Sequence, residues 1–187
     1  MFIQTEQTPN PQTLKFLPGK VVMQEGTAFF QNLDESSDSP FAKRLFAIEN
    51  VEGVFFGSDF ITITKNNSVD WQVMKPLVLS SIMDHYNSGD DTISKKQEIK
   101  NTSLQTDEND NEIVKQIKEL LDTRVRPAVA MDGGDIIYNS FKDGIVYLHM
   151  QGACSGCPSS TATLKMGIEN MLKHYVPEVQ EVRPIDV

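Results

Sequence analysis

A polar segment from residue 88 to residue 110 divides this chain into two patterned blocks. The segment is rich in Asp, Asn, Ser, Thr and Lys and almost free of large apolar residues, so it cannot bury enough surface to fold by itself. We interpret it as a flexible linker, because about 20 such residues have a root-mean-square span of roughly 25 Å. The sequence therefore predicts two small domains, residues 1–87 and residues 111–187.

Composition fits two small globular domains and argues against several kinds of partner. Of the 187 residues, 39% are hydrophobic and 23% are charged, and the net charge is −9. Nucleic acid and anionic membrane surfaces both require a basic face, so neither is expected as a partner. No apolar run reaches the ~20 residues that cross a bilayer, and the N-terminus has no signal-peptide or transit-peptide pattern. We expect a bacterial cytoplasmic protein or a mature mitochondrial matrix chain without its presequence.

The first block alternates strand-like and helix-like patterns. Ser39 followed by Pro40 is typical of a helix N-cap and first helical residue. The Gly-Ser-Asp run at residues 57–59 lies between two apolar runs and indicates a turn. We predict strands at residues 13–17 and 21–23, a helix after Ser39, a pair of strands over residues 54–64 and a helix from Asp70.

The second block predicts the order α-β-β-α-β. An amphipathic helix runs from Glu112 to Val125 and is expected to end at Pro127. The strands of a hairpin flank an Asp-Gly turn at residues 143–144. A helix follows Pro158, and a last strand is expected near residues 179–182. The fold class is therefore α+β, with two small α/β-type domains, the second having a three-stranded sheet with helices on one face.

The chain has two cysteines, Cys154 and Cys157, three positions apart. Gly156 suits a tight loop between them, and Pro158 is suited to the first turn of a helix. Cys157 would then be the N-cap, where unpaired N–H groups and the positive helix end favour thiolate. Such a pair is half of a soft-metal site, since iron–sulfur clusters and structural zinc normally require four ligands. Two chains would supply four thiols.

The residues alone leave other kinds of site open. A dithiol oxidoreductase also places CxxC at a helix start, although here the motif follows a hairpin and no aromatic residue precedes Cys154. A zinc ion bridging two chains would use the same four thiols. Two buried, inert cysteines are disfavoured, because a glycine-rich loop is a poor place to bury them. No histidine stands at a ligand spacing from either cysteine.

Both blocks contain long motifs that resemble one family. The second block reads MDGGDI at 131–136, GACSGCPSS at 152–160 and TLKMGIE at 163–169. The first reads TPNPQTLKF at 8–16, FFGSDFIT at 55–62 and WQVMKP at 71–76. The chain thus resembles the NifU-like (Nfu) family throughout, except in the predicted linker. The first block is similar to the N-terminal Nfu domain and the second to the C-terminal NifU domain.

The resemblance implies a non-catalytic iron–sulfur cluster scaffold or carrier. In the family's pattern, Cys154 and Cys157 are the ligands of a [4Fe-4S] cluster that is delivered to apo-proteins. Upstream cluster assembly proteins and apo iron–sulfur recipients are the implied partners. With two ligands per chain, we expect the cluster to be shared between two chains and the protein to be a homodimer when loaded. The first block carries no chemistry of its own, so we expect it to dock recipients or to modulate the second.

Two further features of the second block, a pair of glycines and a pair of arginines, lead to structural predictions. Gly133 and Gly134 are expected to let the backbone pass close to the cysteine loop, where Asp135 would accept N–H bonds. Arg124 and Arg126 have two interpretations, either as partners for the negative charge of a cluster or recipient, or as a solvated helix end.

Overall fold

The computed structural model describes residues 1–94, 111–156 and 158–185, with two α/β domains. In the first domain, an antiparallel five-stranded sheet has the order β1-β2-β5-β4-β3. Two helices and a 3-10 turn at Asp34–Asp38 complete it. The strands are β1 (Gln4–Gln7), β2 (Thr13–Leu17), β3 (Ala28–Phe30), β4 (Val51–Phe56) and β5 (Ile61–Lys65), and the helices are α1 (Pro40–Phe46) and α2 (Trp71–Ser88).

One face of this sheet packs on the two helices to form the core of the first domain. Phe16, Phe41, Phe56 and Ile82 are all fully buried there. The predicted cap of α1 is confirmed, since Ser39 Oγ accepts a hydrogen bond from the Ala42 amide at 3.0 Å. The helix therefore begins where its sequence provides an acceptor for an otherwise unpaired N–H group.

The second domain has the predicted three-stranded sheet with helices. Strand β7 is central, pairing with β6 antiparallel and with β8 parallel. The elements are α3 (Glu112–Leu120), a π-helical turn (Leu121–Val125), α4 (Arg126–Met131), β6 (Gly134–Lys142), β7 (Ile145–Gly152), α5 (Pro158–Tyr175) and β8 (Glu181–Ile185). The predicted hairpin with its turn at residues 143–144 is confirmed.

Two sequence-based boundaries are wrong. The helical segment does not end at Pro127, because the π turn lets it continue as α4 to Met131. The Arg126 amide donates to the Leu121 carbonyl, and proline, which has no N–H group, follows in the first turn of α4, where none is needed. Residues 21–23 form no strand; the amides of Val22 and Met23 instead donate to the Ser58 carbonyl.

The predicted linker, residues 88–110, lies mostly outside the described residues, which omit 95–110. Helix α2 includes Ser88, and Asn111 caps α3 by accepting a hydrogen bond from the Val114 amide. Among the residues that the structure does describe, no helix is long and apolar enough to cross a membrane.

Candidate metal centre

Cys154 lies in the loop that joins β7 to α5, and the loop is held by backbone hydrogen bonds near β7 and by a side chain of α5. The Ala153 amide donates to the Gly133 carbonyl at 3.1 Å, and the Ser155 amide donates to the Gly152 carbonyl at 3.1 Å. Thr161, in the first turns of α5, donates its hydroxyl to the Cys154 carbonyl at 3.1 Å. The loop can fold back so sharply because Gly152 has a φ of 63°, which favours glycine.

Cys157 is outside the described residues, as are the side chains of residues 158–160. Helix α5 begins at Pro158, so position 157 immediately precedes its first residue. The expectation that Cys157 caps this helix and converges with Cys154 therefore stays a prediction. Of the two cysteines, only Cys154 lies within the described residues.

Strand β6 passes directly against the thiol of Cys154, as the two glycines of the sequence led us to expect. A Cβ atom placed on Gly134 would lie 2.6 Å from Cys154 Sγ and 2.6 Å from the Gln151 carbonyl oxygen. Any side chain at position 134 would displace the cysteine loop. The expected close approach is confirmed, and it fixes the thiol next to the first residue of β6.

Cys154 is more buried than its loop suggested. Its relative exposure is 5%, and it packs with the apolar core of the second domain. The expectation that a glycine-rich loop would not bury a thiol is wrong for this residue, because backbone without side chains allows strand β6 to cover it. Burial, with smaller contributions from the charges of Asp132 and Asp135, raises the pKa of Cys154 to about 12. Without a metal, Cys154 is therefore a neutral thiol.

Two cavities border the Cys154 thiol. The larger, of about 620 Å³, is lined mainly by apolar side chains of α4 and α5, and Arg124 also lines it. The smaller, of about 210 Å³, lies beside Ser155, Gly156 and Thr161. Thiol sulfur is a ligand suited to iron and zinc. The donor chemistry and the glycine-lined loop thus fit a soft metal or cluster, with too few ligands in the described part of one chain to complete it.

Arg126 is occupied by carboxylates of its own domain. Its Nε and Nη2 atoms donate to Asp135 Oδ1 and Oδ2 at 2.8 and 2.7 Å, and Nη1 donates to Asp122 Oδ1 at 3.0 Å. Hydrogen bonding to Asp135 raises the pKa of the Arg126 guanidinium above its ordinary value. Asp135 also accepts from the Ile136 amide at 2.8 Å. Neither interpretation of Arg126 from the sequence anticipated this network.

Arg124 and the three histidines do not join Cys154 in a ligand set. Arg124 lies over the Tyr175 ring, 4.9 Å from its centroid. His85 is stacked on Phe41 in the first domain, His149 lies beside Asn139 on the hairpin, and His174 packs edge-on against Tyr175. Within the described ranges, no group of three or more His, Cys, Asp or Glu side chains could hold a metal ion.

Asn10 and Lys15 of the first domain reach the cysteine loop or its neighbourhood, and sequence reasoning did not assign either of them to the site. Asn10, only 2% exposed, donates from Nδ2 to the Ser155 carbonyl at 3.2 Å. Lys15, 7% exposed, donates from Nζ to the carbonyls of Ala130 and Met131 at 3.2 and 3.0 Å. Both residues stand within the motif at 8–16, so the motif was visible although its contact with the second domain was not.

Two family models match the chain. The model "Scaffold protein Nfu/NifU N terminal" matches residues 3–89, and the model "NifU-like domain" matches residues 117–183. Together they cover both domains of the structure.

Individual proteins are similar along nearly the whole chain. NifU-like protein 4, mitochondrial, of Arabidopsis thaliana is 53% identical over 184 residues, which is 97% of this chain and 65% of that protein. NFU1 iron-sulfur cluster scaffold homolog, mitochondrial, of Homo sapiens is 50% identical over 186 residues, or 99% of this chain and 72% of that protein. This chain thus spans about two thirds of the length of these relatives.

A solved structure is also similar to part of the chain. The solution NMR structure of a NifU-like protein from Saccharomyces cerevisiae is 32% identical, with a TM-score of 0.46, over 51% of this chain and 87% of that one.

Proposed function

Because the chain belongs to the NifU-like (Nfu) family of iron–sulfur cluster scaffold proteins, we propose that it binds a [4Fe-4S] cluster and delivers it to apo-proteins. The observation that carries this proposal is the position of Cys154 in a glycine-lined loop immediately before helix α5. Cys154 and Cys157 are the proposed ligands. The relatives are named as scaffold proteins and not as enzymes, which agrees with a carrier that has no catalytic residues.

The number of thiols argues for a shared cluster. The chain has two cysteines, and a [4Fe-4S] cluster is normally held by four thiolates. A second copy of the chain supplies the missing pair, so the loaded form is a homodimer joined by its cargo. The apo chain is then a monomer, because metal–ligand bonds, and not an extensive protein interface, close the pair.

The environment of Cys154 adds a condition on binding. A metal is bound by thiolate, whereas burial keeps this thiol protonated, with its pKa raised to about 12. Cluster binding must therefore displace the proton, so the affinity of this site depends on pH. The same burial opposes the alternative of a dithiol oxidoreductase, whose attacking cysteine needs a lowered pKa.

The partners and the location are also part of the proposal. Recipients are apo iron–sulfur proteins that present free thiolates, and upstream cluster assembly proteins supply the cluster. Of the two compartments expected from the sequence, the bacterial cytoplasm and the mitochondrial matrix, the names of the relatives favour the mitochondrion.

Anaerobic reconstitution with iron and sulfide tests the ligands. The full chain should acquire iron and sulfide in equal amounts, with the broad visible absorption of a cluster, and should change from monomer to dimer in sedimentation. Replacing Cys154→Ala or Cys157→Ala should abolish stable loading. The control Ser155→Ala keeps both thiols in the same loop and should load like the parent chain.

Three outcomes would contradict parts of this proposal. Full loading of the Cys154→Ala variant would refute the ligand assignment. A chain that binds zinc but no iron and sulfide would support the bridging zinc site instead. A loaded chain that remains a monomer, or a dimer that a chelator does not dissociate, would refute the cluster as the joint between two copies.

A further inference from the structure

The first domain covers the cysteine loop through side chains that donate to the second domain. Hydrogen bonds between described residues cross from the first domain to the second: Asn10 Nδ2 to the Ser155 carbonyl (3.2 Å), Lys15 Nζ to the Ala130 and Met131 carbonyls (3.2 and 3.0 Å), and Thr27 Oγ1 to Asp135 Oδ2 (2.9 Å). Lys15 thus donates to two carbonyls at the end of α4, of which the Ala130 carbonyl also accepts from the Gly133 amide at 3.1 Å.

The sheet of the first domain has a second buried face, which its own core does not explain. Lys15 on β2, Thr62 on β5 and Phe55 on β4 stand side by side across three strands. They are 7%, 1% and 1% exposed, yet they do not belong to the cluster formed with α1 and α2. Since residues alternate between the two faces of a strand, these three lie on the opposite face, which the second domain covers.

Glycines of the second domain allow this close contact. A Cβ atom on Gly133 would lie 2.7 Å from Thr62 Cγ2, and one on Gly152 would lie 3.0 Å from Phe55 Cγ. Gly133 is bonded to the cysteine loop through the Ala153 amide, and Gly152 is two residues before Cys154. The surface that the first domain occupies is therefore the base of the cysteine loop itself.

The first domain also borders the approaches to the thiol. It contributes one lining residue to each cavity beside Cys154, Pro9 to the larger one and Gln31 to the smaller one. Two chains that share a cluster must bring their cysteine loops face to face. A loop held at Ser155 by Asn10 of its own chain cannot present the same side to a second copy.

We propose that the first domain is an intramolecular cap on the cysteine loop, and that it competes with a second copy of the chain for this surface. The inference rests on the proposed function, because it assigns the regulation of the same site. Release of the cap frees Ser155 and opens the cavities beside Cys154 to a second copy, which permits the shared cluster; its return displaces the second copy.

The test uses the apo full-length chain and the rate at which iodoacetamide alkylates Cys154, located by mass spectrometry. Thr62→Arg places a large charged side chain on the buried face of the sheet, away from the first domain's core. This substitution should disrupt the cap and speed alkylation by more than about tenfold, because a charged side chain of this size cannot be buried between the two domains. The control Ser80→Arg makes the same change at an exposed position of α2 and should leave the rate unchanged.

A second variant guards against misfolding. Lys15→Met keeps most of the side chain but removes both hydrogen bonds to α4. It should speed alkylation about tenfold, since losing one or two hydrogen bonds shifts an opening equilibrium by about that factor. Fluorescence of Trp71, the one tryptophan of the chain, reports whether the first domain is folded. Alkylation at the parent rate in Lys15→Met and in a folded Thr62→Arg chain would overturn the cap.

The outcome is distinguishable from that of the proposed function. Unchanged alkylation in chains that load a cluster normally would reject the cap and leave the scaffold function standing. Faster alkylation in chains that never acquire iron and sulfide would support the cap and reject the function. Faster alkylation with faster cluster loading and dimer formation would support both.

Discussion

Gly134→Ala tests how closely the thiol site depends on backbone without side chains. The new Cβ atom would lie 2.6 Å from Cys154 Sγ, 2.6 Å from the Gln151 carbonyl oxygen and 3.1 Å from the Cys154 amide nitrogen. A thiol can rotate away, but the other two atoms belong to the backbone of β7 and of the cysteine loop. Relief therefore requires the loop or the β6–β7 pairing to move.

The magnitude follows from two opposing effects. Forcing an extra carbon into a packed site costs about 1–3 kcal/mol, and contact with backbone places this case in the upper half of that range. Alanine also restricts the unfolded chain, which returns about 0.4–1 kcal/mol. We expect a net loss of about 1–2 kcal/mol in the free energy of unfolding of the second domain. With a urea m-value of about 1 kcal/mol/M for a domain of this size, the unfolding midpoint should fall by about 1–2 M.

Urea unfolding of the full chain provides the assay, with circular dichroism reporting both domains and Trp71 fluorescence reporting the first. Only the transition of the second domain should shift, and cluster loading should decrease because the loop has moved. Gly167→Ala on α5 is the matched control, since a Cβ atom there would meet nothing within 4 Å. It should stabilise the helix by about 0.5–1 kcal/mol. If Gly134→Ala unfolds and loads like the parent chain, the close packing against Cys154 has no energetic consequence and our reasoning is wrong.

Two further predictions concern ionisable groups outside the ligand pair. Arg126→Gln should destabilise the second domain by about 2–3 kcal/mol because it leaves the buried Asp135 carboxylate without its cation. Arg183→Gln, which breaks an exposed pair with Glu181, should have a far smaller effect, and equal urea midpoints for the two variants would contradict this. Burial, followed by the charge of Arg44, lowers the pKa of His85 below 6.5, so the unfolded chain takes up the proton first and the first domain should lose stability as the pH falls below 6.5. The Trp71 unfolding midpoint should show this loss in the parent chain and a weaker one in His85→Phe, and identical pH profiles would exclude His85 as the cause.

Local patterns predicted most of the fold because their physical causes are local. The cap at Ser39 needs only an acceptor within one helical turn, and the hairpin of β6 and β7 needs only alternation and a turn. Pro127 misled the prediction because its usual effect on a helix assumes the i→i−4 pattern. The π turn before it shifts that pattern by one residue, and no simple periodicity in the sequence predicts this.

The sequence predicted which residues belong to the candidate site, but it did not predict how deeply Cys154 is buried or which residues contact its loop. The spacing and flanking residues of Cys154 are features of the loop, so they were visible in the sequence. Its burial depends on Gly134, 20 positions earlier, and on the approach of β6 that this glycine permits. The roles of Asn10 and Lys15 depend on contacts between domains, which neither hydrophobic period nor turn chemistry specifies.

Gly133, Gly134 and Gly152, at the base of the cysteine loop, connect the packing inside the second domain with the contact between the two domains. Gly134 faces the thiol inside the second domain, Gly133 faces the sheet of the first, and Gly152 lies between the backbone of Gly133 and Phe55 of that sheet. The Gly133 carbonyl accepts from Ala153, the residue before Cys154. A shift of the first domain against Gly133 or Gly152 would therefore reach Cys154 through backbone atoms and a single hydrogen bond, without a rotamer change that could absorb it. Close packing transmits such displacements, so the position of the first domain and the position of the thiol are expected to change together.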